Sequence, residues 1–170
     1  MCLSGHASNC YRMETRIVNA NAKDVKDLVR IYSSPELYHN RKDASWFVKS
    51  FFDYHHVKIV KAEQKVVGAA FWNVLEEMHH GITEIGDLWI EEGYRRKGLG
   101  EKLLLTIIKD MKQFFAKKNY TLRKVLITTG EDNEPAKKLY EKIGCKKSAV
   151  LADLFAKGEN ELLYILTLNP

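Results

Sequence analysis

Residues 87–104 read Asp-Leu-Trp-Ile-Glu-Glu-Gly-Tyr-Arg-Arg-Lys-Gly-Leu-Gly-Glu-Lys-Leu-Leu. The segment closes an apolar strand, Ile82–Ile90, and opens an amphipathic helix that runs to about Lys118. The apolar face of that helix holds Leu103, Leu104, Ile107, Ile108, Met111 and Phe115. Between strand and helix lies the basic turn Arg95-Arg96-Lys97-Gly98-Leu99-Gly100. Glycines let a backbone approach a ligand closely and aim several N–H groups into one concavity. The helix start adds unpaired N–H groups and the positive end of its dipole, which together suit a pyrophosphate. Arg95, Arg96 and Lys97 bring further charge to the rim. The spacing is neither the GxxxxGK[ST] of nucleoside-triphosphate loops nor the GxGxxG of dinucleotide folds.

Outward from this turn, Thr15–Ala20 alternates as a short strand. Asn19 or Asn21 caps a helix from Lys23 to about Ile31, with Val25, Leu28, Val29 and Tyr32 at helical spacing, and Ser33-Ser34-Pro35 stops it. A second helix is predicted over Lys42–Phe52, burying Trp46, Phe47 and Phe51. His56–Ala62 and Val66–Leu75 read as a hairpin around Glu63-Gln64-Lys65. Downstream, Lys124–Thr129 is a fifth strand. Asn133–Ile143 is a helix with Pro135 in its first turn and Gly144 at its end. Ser148–Leu154 and Glu161–Leu168 form a closing pair around Lys157-Gly158. The order β-α-α-β-β-β-α-β-α-β-β predicts an α/β domain. Its fourth strand, long helix and fifth strand make a right-handed βαβ unit in an otherwise antiparallel sheet.

The 170 residues show no internal repeat, so residues 13–170 are expected to form one domain. Residues 1–12 carry no apolar core or basic lead-in of a secretory signal and are expected to be a disordered extension. Three scattered cysteines, Cys2, Cys10 and Cys145, follow no CxxC spacing and fit a reducing, cytoplasmic setting. No apolar run reaches the roughly 18–20 residues that span a bilayer. The net charge of +5 fits a lysine-rich surface or an anionic cofactor. No Arg-rich run or RNP-like aromatic motif points to nucleic acid.

A second block, Asn133-Glu-Pro-Ala-Lys-Lys-Leu-Tyr-Glu-Lys-Ile-Gly-Cys, places Asn133 and Tyr140 two helical turns apart, so both can face one groove. The turn resembles the [Arg/Gln]-x-x-Gly-x-[Gly/Ala] signature of the GNAT acetyltransferases, with Arg95, Gly98 and Gly100 in the three places. The second block resembles that family's Asn-x-x-Ala-x-x-Leu-Tyr-x-Lys-x-Gly-Phe, with Cys145 replacing the final aromatic. The two motifs stand in the family's order, and the resemblance runs from about Met13 to Leu168.

The resemblance implies the GNAT fold: a mixed, mostly antiparallel sheet of six to seven strands, a splayed parallel pair at strands four and five, and helices on both faces. It implies acetyl-CoA as cosubstrate between the splayed strands, and no metal. Backbone groups of Leu88 and Ile90, with Trp89 between them, would pair with the pantetheine amides. Arg95, Arg96, Lys97, Gly98, Leu99 and Gly100 would hold the diphosphate, and Asn133, Lys137 and Tyr140 would complete the cofactor site. The amine attacks directly, without an acyl-enzyme; Cys145, after a helix end, reads as packing. Tyr140 would protonate the leaving thiolate, its phenol being protonated at neutral pH. The candidate base is Glu84, which two-residue spacing puts on the same face as Gly86 and Leu88, with Asp87 on the opposite face. His79 and His80 precede the strand and read as solvated loop residues.

A narrower resemblance is to N-terminal protein acetyltransferases, the bacterial ribosomal type and the catalytic subunit of the eukaryotic and archaeal A-type enzyme. Pro35-Glu36-Leu37-Tyr38 looks like the Pro-Glu-x-Tyr of the A-type substrate loop, which makes Glu36 a candidate for substrate contact or base. Tyr94-Arg95-Arg96-Lys97-Gly98-Leu99 is close to that group's Tyr-Arg-Arg-x-Gly-Leu. Residues 154–160 are similar to its Tyr-Tyr-x-x-Gly-Glu-Asp hairpin, with Leu154 and Phe155 in place of the tyrosines. Ile127–Thr129 holds no carboxylate where the ribosomal type places its base. An α-amine of pKa about 7.7–8.0 is neutral in roughly a tenth of molecules at pH 7, far more than a lysine, so a protein N-terminus is the favoured acceptor. A small-molecule or polyamine acetyltransferase would instead show a closed acidic pocket near Glu36, Glu76, Glu77 and Glu84. A non-catalytic acyl-CoA binder would have no need of Tyr140. Neither a nucleic-acid nor a membrane partner is expected, and homodimer formation is left open.

Overall fold

A computed structural model describes residues 14–34, 37 and 40–168. The expected extension 1–12 lies outside the described residues, as do Pro35, Glu36 and Tyr38 of the loop compared with the A-type enzyme. Seven strands form one sheet: β1 (Thr15–Asn19), β2 (His56–Ala62), β3 (Lys65–Val74), β4 (Ile82–Ile90), β5 (Lys124–Gly130), β6 (Lys146–Ala152) and β7 (Asn160–Thr167). They lie in the order β1-β2-β3-β4-β5-β7-β6. Every neighbouring pair is antiparallel except β4 and β5. A parallel pair needs a crossover, and α3 (Leu99–Lys117) supplies it. Among the described residues no helix is long and apolar enough to cross a membrane.

The remaining helices are α1 (Val25–Tyr32), α2 (Arg41–Tyr54) and α4 (Glu134–Lys142). A 3-10 turn at Ala22–Asp24 leads into α1. There the Asn21 side chain accepts from the Lys23 N–H at 3.0 Å, while Asp24 accepts from the Asn21 N–H at 2.9 Å. Buried Asp24 also takes Lys61 of β2 at 2.6 Å, which ties the helix start to the sheet.

Two cores cover the two faces of the sheet. On one, α3 lays down Leu103, Leu104, Ile107, Ile108, Met111 and Phe115 against Trp72, Ile85, Ile127 and Tyr164, joined by Tyr140 of α4. On the other, Leu28, Val29, Ile31 and Tyr32 of α1 and Ala44 and Val48 of α2 pack on Ile59, Val66, Ala69 and Phe71.

The second helix corrects one expectation. Ala44 and Val48 are fully buried, and Phe47 and Phe52 pack beside them, whereas Trp46 is 73% exposed. Two residues along an α-helix is a rotation of about 200°, so Trp46 stands on the side away from Val48. The β2–β3 hairpin turns at Glu63-Gln64 with Glu63 at φ 54°, a left-handed position filled without Asn or Gly. The closing pair begins earlier than its apolar pattern suggests, because Lys146 and Lys147 already pair with Ile165 and Tyr164.

Candidate active site

β4 and β5 are in parallel register only over Ile82–Ile85 and Lys124–Ile127. Beyond those four pairs the strands part, β4 continuing alongside β3 and β5 alongside β7. The fork opens into a cleft of about 720 Å³ whose walls are the two strand ends, the loop after β4 and the start of α4.

The loop after β4 gives the cleft its positive end. Arg96 at φ 59° and Gly98 at φ 74° curl the backbone, and α3 begins at Leu99. The first bond into α3 is Lys102 N–H to Gly98 O at 3.0 Å, so the N–H groups of Leu99, Gly100 and Glu101 precede it. A Cβ on Gly98 would meet nothing within 4 Å, and one on Gly100 would make ordinary contact with Leu139, Leu88 and Ile90. The loop is thus open on the side where Gly98 borders the cleft.

Of the predicted cofactor residues, Leu88, Trp89, Ile90, Arg95, Arg96, Gly98, Leu99, Gly100, Asn133 and Tyr140 all line this cleft. Lys97 and Lys137 do not. Lys97 donates to Gly93 O at 2.9 Å and lies over the Tyr94 ring. Lys137 is paired with Glu134 and donates to Glu131 O at 2.8 Å. Arg95 Nε donates to Ile90 O at 2.8 Å while its guanidinium lies over the Trp89 ring, so Arg95 also braces the end of β4. Asn133 caps α4 by accepting from the Ala136 N–H at 3.3 Å.

Tyr140 is 5% exposed, and its ring meets Tyr164 edge-on at 5.6 Å. Burial, reinforced by the Asp87 charge, pushes its phenol well above the usual value near 10. It keeps its proton through the neutral range. Cys145 is buried beside it, and burial pushes its thiol up to about 11, which suits packing and not nucleophilic chemistry.

The faces of β4 differ from the two-residue alternation expected. Glu84 stands opposite Asn73 and Ile85 opposite Trp72, yet Asp87 stands opposite Phe71, so Gly86 is an extra residue with no partner on β3. This β-bulge shifts the alternation by one. Glu84 and Asp87 therefore share a face with Asn73 and Phe71, while Ile85, Leu88 and Ile90 share the other; the assignment of Asp87 to the face away from Glu84 is overturned. Only glycine fits at the bulge, because a Cβ on Gly86 would overlap the Phe71 ring.

Asp87, and not Glu84, lines the cleft. Burial pushes its carboxyl up to about 6, against the opposing influence of the Tyr32 hydroxyl and the Leu88 N–H. Glu84 lies below the fork, where β4 still pairs with β5, and its charge acts on His55, whose imidazole burial pushes down. Glu36 lies outside the described residues, while its neighbour Leu37 reaches the cleft. His79, paired with Glu77, and His80 are exposed on a 3-10 turn and take no part in the cleft. The signal for Asp87 was present in the sequence: an isolated glycine inside a strand pattern marks a bulge. Among the described residues no three His, Cys, Asp or Glu side chains are placed to hold a metal.

Residues 23–145 match the acetyltransferase (GNAT) family. The chain belongs to the GNAT acetyltransferase family. An N-alpha-acetyltransferase of Sulfurisphaera tokodaii is 28% identical over 165 residues, which covers 88% of this chain and 91% of the relative. The GNAT fold is shared with the ribosomal-protein-S18-alanine N-acetyltransferase of Escherichia coli at a TM-score of 0.75 and 15% identity, over 92% of this chain and 96% of that one. It is shared too with YncA of Salmonella typhimurium, solved with its cofactor acetyl-CoA, at a TM-score of 0.71 and 15% identity over 91% and 94%. The seven-stranded sheet with its forked parallel pair is the architecture the GNAT resemblance implied.

Proposed function

We propose that this GNAT enzyme transfers the acetyl group of acetyl-CoA directly to a primary amine, with a protein N-terminal α-amine as the favoured acceptor. The observation that carries the reading is the fork itself: one cleft joins the curled Arg95–Gly100 loop, the unpaired edge of β4 and the buried phenol of Tyr140. The N–H groups at the start of α3, with Arg96 beside them, suit a diphosphate. The free edge of β4 at Leu88 and Ile90 suits an extended chain bearing amides, added as one more strand. Bound there, acetyl-CoA supplies an activated thioester. The protein supplies orientation, exclusion of water and a proton, which Tyr140 delivers to the sulfur as the carbon–sulfur bond breaks.

The N-terminal acceptor is supported by the relative from Sulfurisphaera tokodaii, named an N-alpha-acetyltransferase, and by the cleft itself. Of the carboxylates that a closed polyamine pocket would use, Glu76, Glu77 and Glu84 are all absent from the cleft lining. Leu154 and Phe155, exposed at the β6–β7 turn, offer apolar rather than hydroxyl contacts to a peptide.

Mass spectrometry tests the reading. Purified protein and acetyl-CoA are incubated with a mixed panel of peptides bearing free α-amines, N-terminally blocked lysine peptides and polyamines. Acetylation confined to α-amines is expected. Acetylation of lysines or polyamines alone overturns the acceptor class, and a calorimetric titration without heat of acetyl-CoA binding overturns the activity.

A further inference from the structure

The bulge at Gly86 does more than break the register of β4. It turns Asp87 toward α1, where the fully buried Tyr32 closes the second core. The Tyr32 hydroxyl of α1 and the Leu88 N–H of its own strand both favour the ionised carboxylate there. It also borders the cleft that holds Tyr140, and the phenol feels its charge. Of the other carboxylates bordering β4, Glu84 sits below the fork and acts on His55, and Glu101 belongs to the first turn of α3 beside the diphosphate loop. β5 brings only Ile127, Thr128 and Thr129 to the cleft.

We propose that Asp87 takes the proton of the acceptor amine. The proposal rests on the acetyltransferase reading and deepens it. As the amine nitrogen bonds to the acetyl carbon, one N–H proton passes to a carboxylate oxygen of Asp87. The carbon–sulfur bond breaks, and the sulfur receives the Tyr140 hydroxyl proton. Asp87 then loses its proton to solvent and Tyr140 regains one, so the net transfer is one proton from nitrogen to sulfur.

The electrostatics around Asp87 suit that work. Burial raises its affinity for a proton, and the Tyr32 hydroxyl and the Leu88 N–H oppose the rise, leaving a carboxyl near 6 that is ionised at neutral pH yet far more basic than an exposed aspartate.

Carboxyl-carbon NMR gives a readout that does not depend on turnover. In wild-type protein the Asp87 carboxyl should titrate near pH 6, and in Tyr32→Phe, which loses a hydroxyl that favours the ionised form, at a higher pH. Kinetics on the best α-amine peptide of the panel should follow: kcat falls about 10²–10⁴-fold in Asp87→Asn with acetyl-CoA affinity by calorimetry unchanged. The acidic limb of kcat moves up in pH in Tyr32→Phe, and Asp87→Glu recovers part of the lost rate. The proposal is overturned if Asp87→Asn keeps its kcat and acidic limb, if Glu84→Gln removes that limb instead, or if the Asp87 carboxyl titrates near 4. Wild-type protein that binds no acetyl-CoA would sink the acetyltransferase reading first, a result calorimetry reports separately.

Discussion

Glu84 and Asp87 stand on the same face of β4, three residues apart, because Gly86 is looped out between them. Unbroken alternation would have sent Asp87 to the α3 side, into an apolar core with no polar group of α1 to meet it. The bulge therefore decides which carboxylate the cleft receives.

That makes Gly86 a sensitive position. Gly86→Ala must displace the Phe71 ring, itself packed against Phe47 and His55, or flatten the bulge. Overpacking of this kind costs roughly 1–3 kcal/mol. A lower urea midpoint with a large loss of turnover is expected; unchanged stability and rate would refute the account of the bulge.

Asp87 carries a cost in stability at neutral pH. Its folded pKa of about 6 lies above the ordinary 3.8, so the folded state binds the proton more tightly than the unfolded chain. The favourable contribution is complete below pH 4 and is lost as pH rises through 6. Asp87→Asn should then stabilise the fold at pH 7.5 by on the order of 1 kcal/mol, after allowing for the half-buried setting, with a matching rise in melting temperature, and leave both nearly unchanged at pH 4. Thermal melts at the two pH values check the sign.

Tyr140→Phe should lower kcat by about 10²-fold or more while acetyl-CoA affinity stays within a few-fold of wild type. Because burial holds the Tyr140 proton far above the usual phenol range, the wild-type rate should show no alkaline limb from this group up to pH 10. A limb between pH 8 and 10 that vanishes in Tyr140→Phe would contradict the burial argument.

The two glycines of the loop should separate. Gly98 is left-handed with open space before it, so Gly98→Ala strains the turn by about 1 kcal/mol and places a methyl at the cleft wall. Gly100→Ala meets only ordinary contacts. Calorimetry should show weakened acetyl-CoA binding for the first and near-normal binding for the second.

Much of this was legible beforehand. The strand–turn–helix at residues 82–117 and the capped helix with Tyr140 are strongly periodic and local, and both fell where the pattern put them. Trp46 was misplaced because its size suggested burial, whereas the spacing of Ala44 and Val48 sets the buried stripe of α2. Asp87 was sent to the wrong face because alternation presumes unbroken pairing, and a bulge is a property of two strands together. Lys97 and Lys137 look like phosphate ligands by charge, but each is held by carbonyls near its own turn, which charge counting does not reveal.

The fork has a mechanical consequence. Within the sheet, four ladder pairs join the β1–β4 half to the β5–β7 half, and α3 packs across both from one side. Whatever lies in the gap above them acts as a removable rung, so the molecule's stiffness across its middle should depend on occupancy. Amide exchange in Leu88–Ile90 and Thr128–Gly130 should slow together when the rung is in place, although no ladder pair joins those segments.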